Sequence, residues 1–365
     1  MSAIERAALE EELFDLSNTD ENDDSDTEES TASELYSITS YGADIEAEAL
    51  VKRLKKEQYY VPDFQRQYVW SKTEASKFVE SLLLGLPVPG IFLYKEGEGA
   101  KHLVIDGQQR LKSLMFYFSG LFKESKFRLS GIKTKWEGLS FDELDEDDRD
   151  RLECAVIHAT IFKQDAPAQN MDSVYEVFER INTGGMKLSP QEIRSCVAYG
   201  DFNTTLFKLN KNPLWREMYG KESVRLKDIE LILRFFTFRA KLDQYKSPMK
   251  KFLTDYMVEA RNLDVDELKK LSNQWEEVIK KLHEAVGKRI FRPSGRAMNV
   301  AFFDSFSVAT SLRLGEDPNL TSEQVEAAYH RLGENADFQQ SILSGTATSS
   351  SVNTRFSLAI ESYDT

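Results

Sequence analysis

The hydrophobic pattern changes period partway along the chain, and that change limits the fold more than any other feature. Ahead of Asp165, short runs rich in branched and aromatic residues alternate with stretches of helical spacing. Beyond Ser189, nearly every segment as far as Phe338 repeats its apolar residues every three or four positions. Such a chain is expected to be an α+β protein, an α/β front unit followed by an all-helical back unit, with the boundary between Asp165 and Ser189. Its length of 365 residues fits about two domains of on the order of 100 to 200 residues each. The divisions read as an acidic tail over 1–34, an α/β domain over 35–170, a helical domain over 171–345 and a C-terminal segment over 346–365.

In the front unit, Leu35 to Ile38 reads as a short strand. Asp44 to Lys56 reads as a helix, because Ile45, Ala49, Leu50 and Leu54 share one face. Tyr59 to Pro62 is an extended piece. Ser71-Lys72-Thr73-Glu74 is a capping box in sequence, opening a helix whose apolar face is Ala75, Phe78, Val79, Leu82 and Leu83 and which Gly85 and Pro87 end. Ile91 to Tyr94 and His102 to Ile105 read as strands. Leu111, Leu114, Met115 and Phe118 then fall on one face of a helix, and Ala155 to Phe162 is a further strand. In the back unit the clearest start signal is Ser189-Pro190-Gln191-Glu192, with Ser as N-cap, Pro in the first turn and Glu closing the box. Helices are expected there over Phe202 to Leu209, Lys227 to Leu242, Met249 to Arg261, Asp266 to Val286, Arg296 to Leu312 and Ser322 to Leu332.

Composition and charge narrow the function classes. The apolar share of 41% is ordinary, and no run reaches the roughly 18 apolar residues of a membrane span. The opening residues lack the basic patch and apolar stretch of a signal peptide, so a cytoplasmic protein without a membrane partner is expected. Cys154 and Cys196 stand far apart with no CxxC, which suggests two buried apolar thiols instead of a zinc site or disulfide. The four histidines (His102, His158, His283, His330) are scattered and are expected to be structural or exposed. The net charge of −14 is uneven: Met1 to Glu34 carries thirteen acids and one base, leaving −2 for Leu35 to Thr365. The folded part neither excludes DNA nor demands it. Asn18 to Ser33 has almost no apolar residue and is expected to be disordered, an acidic leader that solubilises the chain.

Three segments carry possible chemistry. In Leu103-Val104-Ile105-Asp106-Gly107-Gln108-Gln109-Arg110-Leu111 an apolar strand runs straight into a helix, whose opening amides and dipole favour an anion. Gly107 permits close backbone approach, Gln108 and Gln109 offer neutral donors, and Arg110 offers a fork matched to phosphate oxygens. Asp106 beside a phosphate would be repulsive unless a divalent cation bridges them or the acid orients water, which points to magnesium and hydrolysis. From the residues alone the same stretch reads equally as an ordinary Asp-Gly turn before a helix. Val61 to Trp70 is dense in aromatics with Gln65 and Arg66 between them, as a base-stacking surface or as core filling. Phe178 to Met186 ends a helix in Asn-Thr-Gly-Gly, a normal stop, with Arg180 and Asn182 able to reach a neighbouring loop.

Together these segments resemble the N-terminal domain family of the GmrSD-type modification-dependent restriction enzymes, a group placed with the ParB and sulfiredoxin-like folds. The matching pieces are PDFQRQYVW at Pro62 to Trp70, SLLLGLPVP at Ser81 to Pro89, VIDGQQRLKSL at Val104 to Leu114 and FERINTGGMKLSPQEIR at Phe178 to Arg194. The resemblance implies a ParB-like α/β domain that binds and hydrolyses a nucleoside triphosphate with Mg2+, coupled to sensing DNA in bacterial defence. It implies that Asp106, Gln108 and Arg110 are catalytic, with Asp106 on the metal. Gly107 and Gln109 would complete the phosphate-binding loop with Arg110, Gln65 and Arg66 would face it, and Arg180 and Asn182 would close the site. Two departures stand out. No His-containing nuclease motif follows before Thr365, which shifts DNA cutting to a separate nuclease or effector partner. Lys112 occupies a place where relatives often carry Thr. Two alternatives remain open at this point: a DNA-binding or nuclease module holding a backbone phosphate at the same loop, and a non-enzymatic subunit that docks a partner through its helical half.

Overall fold

The computed structural model describes residues 37–61, 68–96, 99–166, 172–181, 188–292 and 297–364. The acidic leader, Gln65, Arg66 and Asn182 lie outside the described residues. The chain divides into two compact units, one ending at Leu188 and the other beginning at Ser189, where the strongest helix-start signal sits. The mixed α/β front and the mostly helical back expected from the change of period are both present.

The front unit is built on a five-stranded sheet of order β1-β7-β3-β4-β2. Its strands are β1 (Ser37–Glu46), β2 (Tyr59–Tyr60), β3 (Ile91–Lys95), β4 (His102–Asp106) and β7 (Val156–Ala166), while β5 (Leu121–Phe122) and β6 (Ser125–Lys126) form a small separate hairpin. β1 runs antiparallel to β7, β7 parallel to β3, β3 antiparallel to β4, and β4 parallel to β2. One face of the sheet carries Ile45, Ile91, Leu93, Val104, Ile157, Ala159 and Ile161. Onto it pack α1 (Ala47–Lys55), α2 (Lys72–Leu83), α3 (Gln108–Ser119) and α4 (Glu146–Glu153), through residues such as Leu50, Val79, Leu82, Leu111, Leu114 and Leu152. Each helix presents a stripe of about a third of its circumference to the sheet and leaves polar residues outside. The capping box at Ser71 is formed: its side chain accepts from the Glu74 amide, and Glu74 accepts from the Ser71 amide.

Two local expectations are corrected, and one helix is added. The helix expected from Asp44 begins at Ala47, because Asp44, Ile45 and Glu46 pair with His158, Ile157 and Val156 and stay in the strand. Helical spacing in that window was genuine, but ten residues of ladder with β7 outweigh it. The acid-rich stretch after Asp142 contains α4, capped by Asp145 accepting from the Asp148 amide. Cys154 is exposed at the end of α4, while Cys196 is buried as expected.

α5 (Asp172–Ile181) closes the front unit's part of the chain. The back unit runs through α6 (Pro190–Val197), α7 (Asp201–Leu209), α8 (Pro213–Tyr219), α9 (Lys227–Lys241), α10 (Met249–Ala260), α11 (Val265–Val286), α12 (Val300–Glu316), α13 (Ser322–Glu334), α14 (Ala336–Ser341) and α15 (Ser349–Glu361). Its core centres on Trp215, Trp275, Phe235, Phe236 and Phe303, with Trp215 and Trp275 edge to face at 5.3 Å. No helix among the described residues is long and apolar enough to cross a membrane.

Candidate functional site

The DGQQR loop sits where β4 stops and α3 starts. Gly107 is the N-cap of α3 and adopts φ +99°, a left-handed conformation that only glycine takes without strain. Its missing side chain matters a second time: a Cβ there would stand 2.4 Å from Ile91 Cγ2, so the loop is drawn tightly onto β3. Glycine offers no side-chain acceptor to the first amides of α3, and none caps them from Gly107. The positive end of a 12-residue helix therefore opens at the rim of the sheet.

Arg110, in the first turn, is the nearest fixed charge. Its Nη2 donates to Asp106 Oδ2 at 2.6 Å and to the Gly90 carbonyl at 2.9 Å. The guanidinium is mostly covered, with 14% of the side chain exposed against 45% for Asp106. Its Nε is buried and has no acceptor among the described residues. The pair closes the loop on itself: one nitrogen of the fork is well satisfied, and the carboxylate keeps an open flank toward water.

Gln109 makes contacts that its residue type alone does not announce. Its Oε1 accepts from the amides of both Val69 and Trp70, at 3.1 and 3.2 Å. Ser113, one turn further along α3, donates its single hydroxyl proton to the Gln109 carbonyl at 2.7 Å. Tyr68 must then be the donor in the 2.7 Å contact between its hydroxyl and Ser113 Oγ. Burial pushes the Tyr68 hydroxyl up to about 12, so it stays protonated and able to donate. The end of the aromatic segment is thus pinned to α3 at three points, with Tyr68 edge-on to Phe116 and Trp70 to Phe78. Val69, Trp70 and Gly90 were not singled out by sequence reasoning. Backbone groups serving as partners leave no mark in residue identity.

The remaining predicted residues fall as follows. Gln108 opens α3, half-buried. Arg180 lies on α5, its side chain 81% exposed and its Nη2 3.3 Å from Glu176 Oε2 on the same helix. Gln65, Arg66 and Asn182 lie outside the described residues, so the structure brings together Asp106, Gly107, Gln109 and Arg110 of the expected set.

The topology places more than the loop at this rim. β4 ends where β3 begins; β7, parallel to β3, begins there too; and β1, antiparallel to β7, ends there. Across β3 from the loop, His158 Nδ1 lies 2.8 Å from Asp44 Oδ1. Among the described residues no group of three or more His, Cys, Asp or Glu is placed to hold a metal ion.

Residues 48–199 match the family model described as GmrSD restriction endonuclease, N-terminal domain. The match starts within α1 and ends just after α6, so it takes in the whole rim except the β1 strand. No curated protein matches the chain.

Proposed function

We propose, from the match of residues 48–199 to the GmrSD restriction endonuclease N-terminal domain model, that the chain acts in restriction-type defence by binding a nucleoside triphosphate at the DGQQR loop, hydrolysing it and coupling the cycle to DNA. The observation that carries this reading is a surplus of donors in one place. The opening amides of α3 have no side-chain cap from Gly107, and Arg110 Nε has no acceptor, although both stand beside a rim that water reaches through Asp106. A phosphate is the ligand with enough oxygens to take up that surplus.

Binding exchanges partners. Arg110, now on Asp106, would be the donor to a phosphoryl oxygen, which would free the Asp106 carboxylate. Asp106 is the residue that would hold magnesium, and a half-exposed single carboxylate suits an ion that draws its other ligands from phosphate and water. When bound, the ion neutralises charge on the terminal phosphates. Gln109 acts indirectly, by holding Val69 and Trp70 against α3.

Calorimetric titration of the full chain with GTP, ATP and CTP, each with and without magnesium and duplex DNA, tests the reading. One triphosphate is expected to bind with magnesium and to be hydrolysed. Arg110→Ala should weaken that binding by about ten- to a hundredfold, the range for losing a charge-assisted hydrogen bond. Asp106→Ala should abolish turnover with folding intact. Unchanged turnover in Asp106→Ala would remove it from the chemistry. Absence of nucleotide binding together with salt-sensitive DNA binding that needs Arg110 would assign the loop to a DNA backbone phosphate instead.

A further inference from the structure

The sheet of the front unit has a second end, and its charges differ from those at the loop. β4 starts there at His102 and reaches the loop at Asp106, a run of about 13 Å at the usual strand rise. β3, antiparallel to β4, ends beside it with Lys95 opposite His102. β2 pairs Tyr59 with His102, and the exit of α1 is tied to the same point, since the His102 amide donates to the Gln58 carbonyl at 2.7 Å and the Gln58 amide to the Arg53 carbonyl at 3.0 Å. The last turn of α1 and the β3–β4 connection therefore meet at this end. They bring Lys52, Arg53, Lys55 and Lys56 together with Lys95 and Lys101, and the stretches 52–58 and 95–101 hold these six cations against three acids, Glu57, Glu96 and Glu98.

Arg53 is the anchor of the group. Its Nη1 donates to the Tyr59 hydroxyl, its guanidinium lies over the Tyr59 ring at 5.1 Å, and Tyr59 meets His102 edge to face at 5.1 Å. His102 shares the sheet face of Val104, the face that carries the helices, so Arg53, Tyr59, His102 and Lys95 lie on one side of the sheet. Burial, and after it the charges of Lys95 and Arg53, hold the His102 imidazole below its usual range, although its Nδ1 donates to the Ala100 carbonyl at 3.0 Å. Two cations thus converge on one ring.

Lys52, Arg53, Lys55, Lys56 and Lys101 are exposed and Lys95 is half-buried, and none of the six lies within ion-pair distance of a carboxylate among the described residues. Cations in a last turn suit the negative end of a helix dipole, which accounts for Lys52, Arg53 and Lys55. It does not call for Lys95 and Lys101, which arrive from another part of the chain. Exposed like charges without counter-ions repel one another, and a polyanion offsets that repulsion while releasing its own condensed counter-ions. Lys52, Lys55 and Lys56 stand at i, i+3 and i+4, about 5 to 6 Å apart. Charges spread over two elements suit a run of backbone phosphates better than a single phosphate. Among polyanions, the match of the front unit to a restriction endonuclease domain selects DNA.

We propose that this end of the sheet is a contact surface for the phosphate backbone of duplex DNA, separate from the DGQQR loop, with Lys52, Lys55, Lys56, Lys95 and Lys101 on the phosphates and Arg53 held in place by Tyr59. Such contacts position the duplex and carry no base readout. The surface stands whether or not the loop holds a nucleotide.

The test is fluorescence anisotropy of a short labelled duplex of arbitrary sequence with the full chain over a series of salt concentrations. The variants are Lys52→Gln, Lys55→Gln and Lys56→Gln combined, and Lys95→Gln with Lys101→Gln. A control of equal charge combines Lys77→Gln, Lys123→Gln and Lys133→Gln, three exposed lysines outside the cluster. Thermal unfolding verifies that each protein folds, and nucleotide hydrolysis is followed alongside. The triple cluster variant is expected to weaken DNA binding by about tenfold or more and to flatten the plot of log Kd against log salt by about three, the double variant by about two, close to one for each lost phosphate contact. The control should bind as the unaltered protein does, and hydrolysis should be unchanged in all three. An equal loss in the control would mean a response to net charge alone and would overturn the surface. Unchanged slopes in both cluster variants, or an unaltered protein that does not bind the duplex, would overturn it too and leave the loop reading intact. Flattened slopes in a protein that hydrolyses no nucleotide would uphold the surface and remove the loop reading.

Discussion

Gly107 bears two constraints at once, a left-handed φ and a van der Waals wall made by Ile91. Gly107→Ala should therefore destabilise the front unit by about 2 to 4 kcal/mol, combining the left-handed penalty with overpacking, as read by denaturant unfolding. Gln109 makes a subtler case. A polar side chain in a phosphate-loop motif invites a ligand role, yet its oxygen serves the backbone of Val69 and Trp70. Gln109→Ala should raise the hydrogen-exchange rates of those two amides roughly tenfold or more, since each loses its acceptor, while Gln109→Glu, which keeps the oxygen, should restore protection. Equal protection in all three proteins would show that the segment is held by its aromatic contacts alone.

At the scale of elements, α9 and α12 show what central helices require. Both are buried around most of their circumference, unlike the striped helices of the sheet unit. Charges on such helices must be matched inside. Arg234 meets Asp304 through Nε and Nη2, at distances down to 2.6 Å, and both side chains are almost wholly buried. The chain of charges continues: Arg234 lies 3.9 Å from Glu230, Glu230 bonds Arg194 on α6, and Asp304 lies 3.7 Å from Arg355 on α15. One alternating line thus joins the first helix of the unit to the last. Asp304→Ala should destabilise it by about 3 to 5 kcal/mol, the cost of leaving a buried guanidinium uncompensated, measurable by calorimetric unfolding. At the entrance to the same unit, Ser189 caps α6 from its side chain and also donates to the Arg225 carbonyl. Ser189→Ala should cost about 1 to 2 kcal/mol.

For the molecule as a whole, buried tyrosines set the alkaline limit. Burial pushes Tyr68 in the front unit and Tyr256 in the back unit up to about 12, and raises Tyr117, Tyr329 and Tyr363 as well. Because the folded values lie above the ordinary value near 10, the unfolded chain releases protons first. Stability should hold below about pH 10 and decline as pH rises from there through about 12, tracked by tyrosinate absorbance alongside circular dichroism. A flat profile across that interval would mean that these hydroxyls titrate freely.

The residue pattern alone determined the broad plan: an α/β front, a helical back, the strand-to-helix passage at the DGQQR loop, and the capping boxes at Ser71 and Ser189. These follow from local rules, since period, cap and turn depend on residues a few positions apart. Tertiary structure alone decided that Asp44 stays in a strand, that Gln109 faces the backbone of Val69 and Trp70, that Arg110 donates to the Gly90 carbonyl, and that His158 and Asp44 share a rim with the loop. Each of these joins residues brought together by strand pairing or packing across 20 to 114 positions of chain, or through a backbone group that residue identity does not mark. Neither periodicity nor composition carries information about such meetings, because free energy gained at a distance in sequence is set by the shape of the fold, which no short window contains.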